Sequence, residues 1–497
     1  MITENAYEYP MKILFVSSEI APFAKTGGLA DVAHSLPRAL SQAGNDVRSV
    51  MPKYLALTEH DTHMIRADSV LVPMQNGLHG AVLWRGENDS VPTYFIENEA
   101  YFNREELYGT GGTDYPDNLE RFVFFCKAAL ACCRSVGFLP DVIHCNDWQT
   151  APLPAILKAI YGLYRKDPFF QPIPKLVYTI HNMSYQGRFP KEKWPVLTLP
   201  DSYYSHDFEF YGQINLMKSA IQLADAVTTV SETYAREIQT TDFGFGLQGV
   251  LGGRKDTVCG ILNGVDYHQW APEIDAHTYG IHYSAEDLSG KRRIKSRLRA
   301  EYHLPDHDDI PLLGMTARFV EQKGIDLITG CAERILNGNA QMIVLGSGEP
   351  RYQDFFEWLR RHYPDRVGIY IGYNNELAHK INAGADIFLM PSLFEPCGLN
   401  QIYSLRYGTL PIVRLTGGLA DSIEDGVNGF TFFDFNPDAF LHAVNRAVDV
   451  YRHHPDVWKN MMVTAMGRDF SWEKSAEKYL NLYRKIVGGD SAVNNGY

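Results

Sequence analysis

Short apolar runs alternate with helix-period stretches along nearly the whole chain, and they do so in two separate series. The first series runs Ile13-Leu14-Phe15-Val16, Val47 to Pro52, Asp141-Val142-Ile143-His144, Leu176 to His181, Ala226 to Ser231 and Val258-Cys259-Gly260-Ile261. Between these runs the periodicity is helical, as in Leu29 to Ala43. Strands that are apolar on both faces and separated by helices belong to a parallel sheet covered on both sides. The pattern breaks at the turn Asn263-Gly264-Val265-Asp266, and Tyr267 to about Asp309 is polar with no strand-like run. A second series then begins at Leu312-Leu313-Gly314-Met315. It continues through Met342 to Gly346, Val367 to Ile371, Ile387 to Met390 and Leu410 to Val413.

The fold class that follows is α/β, with two Rossmann-like, doubly wound domains joined near residue 265. The boundaries are an extension over 1–10, a first domain over 11–260, a second over 261–470, and a closing segment over 471–497. That closing segment has helical periodicity from Trp472 to Val487. A length of 497 residues suits two domains better than one core. Ligands of such sheets bind beyond the carboxyl ends of the strands, so two such domains are expected to face each other across a deep cleft that holds the site.

Composition removes several function classes. The net charge of −13 argues against a nucleic-acid or anionic-membrane partner, which calls for a basic face. No run of about 18 apolar residues exists, and the opening MITENAYEYP has no basic or apolar leader character. The chain reads as cytoplasmic. The seven cysteines read as buried thiols, with Cys126, Cys132 and Cys133 inside one apolar helical run. No cysteine pair or H-E-x-x-H suggests zinc. Asp306-His307-Asp308-Asp309 reads as a solvated loop, so no metal site is expected. The dinucleotide fingerprint G-x-G-x-x-G is missing after the first strand, and no Walker G-x-x-x-x-G-K-[ST] occurs.

What remains at strand ends is cationic, carboxylic and glycine-rich. Thr-Gly-Gly-Leu-Ala-Asp occurs twice, at Thr26 to Asp31 and at Thr416 to Asp421, each time where a strand gives way to a helix. Gly27-Gly28 and Gly417-Gly418 suit a tight turn. They equally suit an anion held by N–H groups at a helix start. Lys25 precedes the first copy, whereas Leu415 precedes the second. Arg318 and Lys323 stand five residues apart in a loop closed by Gly324, a pattern fit for a diphosphate. With Lys25 they could supply the charge that a divalent metal otherwise gives. Glu395 is held between turn residues in Phe394-Glu395-Pro396-Cys397-Gly398-Leu399. It can face a sugar or cap the following helix. Asp147, His181 and Asn182 lie at strand tips in the first half and suit hydroxyl groups.

Taken together, Lys25-Thr26-Gly27-Gly28-Leu29, His181-Asn182 with Tyr185-Gln186-Gly187, the Arg318 to Gly324 loop, Glu395-Pro396-Cys397-Gly398-Leu399 and Thr416-Gly417-Gly418-Leu419 resemble bacterial glycogen synthase and plant starch synthase. The resemblance extends from Met11 to about Val487. It implies a GT-B fold and a retaining glucosyltransferase that moves glucose from ADP-glucose to the non-reducing end of an α-1,4-glucan, glycogen or starch-like. It implies no metal and no cofactor, the nucleotide sugar being a substrate.

The resemblance also implies roles. Lys25 and the amides near Gly28 contact the donor, and Arg318 and Lys323 grip its diphosphate. Glu395 stabilises the oxocarbenium-like glucosyl. Cys397, Gly398 and Leu399 line the glucose pocket, with the Leu419 turn near the distal phosphate. Asp147, His181 and Asn182 hold sugar hydroxyls, with His181 counted beside Glu395, Arg318 and Lys323 as catalytic, and Gly372-Tyr373 lies under the adenine or ribose. The closing helix is implied to cross back onto the first domain. Asn400 stands where the bacterial enzymes usually carry Thr, a change that touches fine donor contacts. The rivals are a sucrose- or trehalose-type GT-B transferase using UDP-glucose, and an inactive glucan-binding protein. The first rival has a second acidic residue seven positions after the glutamate, where this chain has Ile402.

Overall fold

The computed structural model describes residues 10–57, 63–163 and 169–488, with side chains left undescribed over 160–163. The extension expected over 1–10, apart from residue 10, and the end of the closing segment lie outside the described residues. The chain forms two compact units. The first takes in the residues up to Val230, Ala235–Gly264 and those from Trp472 onward; the second takes in Ser231–Tyr234 and Val265–Ser471.

The first unit is built on nine strands: β1 (Lys12–Val16), β2 (Asp46–Pro52), β3 (Ile65–Met74), β4 (Gly77–Asn88), β5 (Val91–Glu97), β6 (Val142–Asn146), β7 (Lys175–Ile180), β8 (Ala226–Thr229) and β9 (Val258–Gly260). Their order across the sheet is β9-β8-β7-β6-β1-β2-β5-β4-β3. The apolar runs become the buried parallel strands, with Ile13, Phe15 and Val16 fully buried in β1. The meander β3-β4-β5 is antiparallel and carries one edge of the sheet outward. Sequence periodicity did not reveal it, because its apolar runs, Val70 to Val72 in β3 and Ala81 to Trp84 in β4, are short parts of long strands that are otherwise polar and largely exposed. Its second hairpin turns through Asp89 and Ser90, both at positive φ (45° and 71°), where a glycine would have advertised the turn.

The chain winds outward from β1 through β2, then returns to the other side of β1 as β6. The topological switch therefore lies between β1 and β6, whose register pairs Phe15 with His144 and Val16 with Cys145. The closing helix Trp472–Gly488 packs within this unit. Tyr483 Oη lies 2.6 Å from His144 Nδ1, and Ser475 Oγ donates to the Leu262 carbonyl at 2.6 Å.

The second unit has six parallel strands: β10 (Leu312–Phe319), β11 (Gln341–Gly348), β12 (Val367–Ile371), β13 (Ile387–Met390), β14 (Leu410–Arg414) and β15 (Phe430–Phe432). Their order is β12-β11-β10-β13-β14-β15, so the switch here lies between β10 and β13. A continuous core of Leu, Ile, Val, Phe and Met side chains from strands and helices fills both faces. The polar stretch before β10 contains the helix Ser289–Glu301, whose Arg299 is buried on Gln341 and the Ile310 carbonyl.

Candidate functional site

In the second unit the chemistry gathers at the switch point. Arg318 is the exposed penultimate residue of β10, and the turn that follows the strand carries Lys323. β13 runs on into the buried loop of Glu395. The two loops meet: Lys323 Nζ lies 2.6 Å from Glu395 Oε2, and Ser392 Oγ donates to the same oxygen at 3.0 Å. The side chains are 18% and 8% exposed, so the pair is largely desolvated. Gly324 makes this approach feasible. Its φ is +67°, and a Cβ there would sit 1.9 Å from the Pro391 carbonyl oxygen.

The Glu395 loop is held along its backbone as well. Gln322 exchanges bonds with Leu393 and Phe394, and Arg414 donates to the Leu393 carbonyl. Gln401 Nε2 donates to the carbonyls of Cys397 and Gly398 at 3.0 Å each. Asn400 points inward, donating from Nδ2 to the Thr316 carbonyl at 2.8 Å. Sequence reading gives no role to Ser392, Gln401 or Arg414, because their types and spacing form no motif. Topology brings Arg414 to the loop from the end of β14, whereas Ser392 and Gln401 flank Glu395 in the same stretch of chain.

The two Thr-Gly-Gly-Leu-Ala-Asp turns differ sharply. The second is buried: Thr416 and Leu419 are 1% and 0% exposed. Gly418 N–H donates to the carbonyls of Glu395 (3.1 Å) and Pro396 (3.2 Å), and Leu419 N–H donates to the Thr416 carbonyl at 3.1 Å. Gly417 has φ +44°, and a Cβ on it would lie 1.9 Å from the Glu395 carbonyl oxygen. This copy is a packing turn that braces the Glu395 loop, so the expectation of N–H groups offered to an anion is narrowed there. Gly372 and Tyr373 follow β12 at the same carboxyl end, two strands from β10. Gly372 N–H bonds the Gly346 carbonyl, and Tyr373 is 81% exposed. Cys397 is buried, and Gly398 and Leu399 lead into the helix Asn400–Arg406.

In the first unit the expected residues also fall at the switch. The first copy opens the 15-residue helix Gly28–Gln42 after β1, with Gly27 and Gly28 exposed and open space around Gly27. Lys25 pairs with Asp31 at 2.6 Å, both partly solvated. Glu19, which the motif reading passed over, is 3% exposed. It accepts from Thr26 N–H (2.5 Å), Thr26 Oγ1 (2.6 Å) and Tyr108 Oη (2.6 Å), fixing the approach to the glycines. Its signal was its place at the tip of β1.

Asp147 follows β6 at φ +54° and accepts the His181 N–H at 2.8 Å. Desolvation pushes the Asp147 carboxyl up to about 7, against the pull of the His181 and Asn182 N–H groups. His181 Nε2–H donates to Asn146 Oδ1 at 2.9 Å, an orientation set by Asn146 Nδ2 on the Val16 carbonyl. Burial lowers the His181 pKa to about 3. The neutral ring keeps Nδ1 as an acceptor and is a weak proton carrier near neutrality, so its place suits holding a hydroxyl. Asn182 Oδ1 accepts from Ser184 N–H and Oγ.

Among the described residues no group of His, Cys, Asp or Glu side chains is arranged to hold a metal, no helix is long and apolar enough to cross a membrane, and the seven cysteines are free thiols. A groove of about 470 Å³ lies over the outer strands, lined by Leu71, Val82 and Glu97 among others. It is remote from the switch point, and strand-end chemistry locates the site better than cavity size does.

Residues 12–253 match the family model for the starch synthase catalytic domain, and residues 301–460 match that for glycosyl transferases group 1. A glycogen synthase of Koribacter versatilis (strain Ellin345) is 45% identical over 483 residues, covering 96% of this chain and 98% of that protein. One of Syntrophotalea carbinolica is 43% identical over 485 residues, covering 96% and 99%. Among solved structures, the catalytic domain of starch synthase IV from Arabidopsis thaliana, bound to ADP and acarbose, superposes with a TM-score of 0.88 at 33% identity, covering 97% of this chain and 100% of that one. A sucrose-phosphate synthase from Thermosynechococcus elongatus shares the fold, with a TM-score of 0.60 at 18% identity and 96% and 99% coverage.

Proposed function

We infer the details of the reaction from one premise: this chain belongs to the glycogen synthase family. It is a hexosyltransferase of the GT-B fold that extends a glucan. On our reading the donor is ADP-glucose, the acceptor is the non-reducing end of an α-1,4-glucan, and the product keeps the anomeric configuration. The observation that carries the site assignment is the Lys323–Glu395 pair at the switch point of the second unit.

A glucosyl group leaving a diphosphate develops positive charge at carbon and negative charge on the leaving oxygens. A carboxylate and a lysine fixed 2.6 Å apart supply both signs in one place. Glu395 then stabilises the glucosyl, while Lys323 and exposed Arg318 take the diphosphate. The cysteine–glycine backbone held by Gln401 lines the sugar, and Gly372-Tyr373 receives the nucleoside. The acceptor hydroxyl arrives on the face the diphosphate leaves, and the leaving oxygen takes its proton. A retaining glycosidase instead holds two carboxyl groups about 5–5.5 Å apart and forms a covalent intermediate. In the first unit, Lys25 and the open Gly27-Gly28 helix start suit the donor's anionic part. Asp147, His181 and Asn182 suit sugar hydroxyls.

Ile402, seven residues after Glu395, is fully buried and apolar, which speaks against the UDP-glucose sucrose- or trehalose-type reading. The test is label transfer from ADP-glucose and from UDP-glucose onto glycogen and onto small sugars, with and without EDTA. Glucan extension from ADP-glucose that survives EDTA is the expected result. Turnover confined to UDP-glucose and a small sugar defeats the reading, and so does the absence of any transfer, which is what an inactive glucan-binding protein would give.

A further inference from the structure

We propose that Ser231, Thr233 and Asp421 form a clasp that positions the Glu395 loop for glucosyl transfer, an inference that rests on the role given to Glu395 above. The segment Ser231–Tyr234 belongs to the second compact unit although it follows β8 in the chain. Ser231 is fully buried. Its Oγ donates to the Pro396 carbonyl at 2.6 Å and accepts the Tyr234 N–H at 3.2 Å. Thr233 gives two hydrogen bonds to one carboxylate: its N–H to Asp421 Oδ2 at 2.8 Å, and its Oγ1 to Asp421 Oδ1 at 2.5 Å.

Asp421 lies on the short helix Gly417–Ser422, whose Gly418 N–H donates to the carbonyls of Glu395 and Pro396. The two arms therefore converge on one peptide. Ser231 reaches Pro396 directly, and Thr233 reaches it through Asp421 and the helix that carries Gly418. The Pro396 carbonyl receives a donor from each arm, at 2.6 and 3.2 Å, which satisfies both of its lone pairs.

Lys323 and Ser392 fix the carboxylate of Glu395, and the clasp fixes the backbone from which that carboxylate extends. Loss of either arm lets the loop pivot while the diphosphate cations stay in place. Misplacement of a group that acts on the transition state appears in kcat, and donor affinity is spared. Asp421 is thus a positioning residue with both oxygens occupied by Thr233. Its counterpart Asp31 pairs instead with solvated Lys25.

The test is steady-state kinetics with ADP-glucose and glycogen, ADP affinity by calorimetry, and the unfolding midpoint, for wild type, Thr233→Val, Thr233→Ser, Asp421→Ala and Thr233→Val/Asp421→Ala. Thr233→Val and Asp421→Ala are expected to lower kcat about ten-fold or more, with donor KM and ADP affinity unchanged within about two-fold. Thr233→Ser restores the rate, and the double variant is no worse than Asp421→Ala alone. A Thr233→Val enzyme with wild-type kcat overturns the clasp. So does a loss that follows the unfolding midpoint and is not rescued by serine. A wild-type chain inert toward ADP-glucose overturns the reaction itself and the clasp with it, whereas an active wild type with unaffected variants overturns the clasp alone.

Discussion

Replacing Lys323 by alanine separates two accounts of that lysine. If it served only an incoming diphosphate, its removal would cost donor binding and leave the folded chain untouched. Its partner is instead the buried carboxylate of Glu395, at 2.6 Å, with the carboxylate 8% and the lysine 18% exposed. Removing one member of a buried pair strands the other, at about 3–5 kcal/mol when both are fully dry. The solvent reaching Lys323, and the remaining bond from Ser392, reduce this to about 2–3 kcal/mol. For a unit of this size that is on the order of 5–10 °C in midpoint.

The assay is calorimetry of wild type, Lys323→Ala, Glu395→Ala and the double variant. The double variant no longer holds a stranded charge, so at least half of the Lys323→Ala loss should return, a coupling of about 1–3 kcal/mol. The same set separates binding from chemistry. Glu395→Ala should lose about 10³-fold or more in rate through the missing transition-state charge. It should bind ADP no more weakly than wild type, because Lys323 is released toward the diphosphate. A Lys323→Ala protein as stable as wild type, or a strictly additive double variant, would refute the argument.

Three further outcomes follow from the same geometry. Asp147 has a folded pKa raised from 3.8 to about 7, so its contribution to stability is fully present below 3.8 and is lost as pH rises through 7; Asp147→Asn should flatten that decline in midpoint-versus-pH curves, and an unchanged slope would remove the assignment. Gly417→Ala meets a positive φ and the Glu395 carbonyl, costing at least about 1–3 kcal/mol in stability and most of the activity, whereas Gly27→Ala, with open space and φ −157°, should stay within about 0.5 kcal/mol of wild type in denaturant titrations. Lys25→Met should leave the midpoint unchanged, since its pair with Asp31 is solvated, but should raise the donor KM by about ten-fold in initial-rate measurements.

The repeated Thr-Gly-Gly-Leu-Ala-Asp shows where sequence reading succeeds and where it stops. Its position after a strand in each half, the two parallel-sheet series and the cations at and just past the end of β10 were all legible, because buried parallel strands leave unbroken apolar runs. The identical letters then take unlike roles, and the one local difference, Lys25 before the first copy against Leu415 before the second, does not reveal that the second is buried. The first copy opens a helix whose start is exposed, and its Asp31 pairs with the copy's own Lys25. The second sits against the Glu395 carbonyl because the order β10-β13-β14 brings the tip of β14 beside that of β13. Adjacency between strands 20 or more residues apart is a property of topology, and no single-sequence periodicity encodes it. Part of what hid Glu19 and Gln401 has the same cause, since Tyr108 and Ser422 reach them from distant segments, whereas Ser392 bonds Glu395 three residues away and is hidden only by being an ordinary serine. What the residues themselves announce is charge and glycine at strand tips. Which tips are neighbours, and so whether a glycine faces a ligand or a carbonyl, is decided by the switch in strand order.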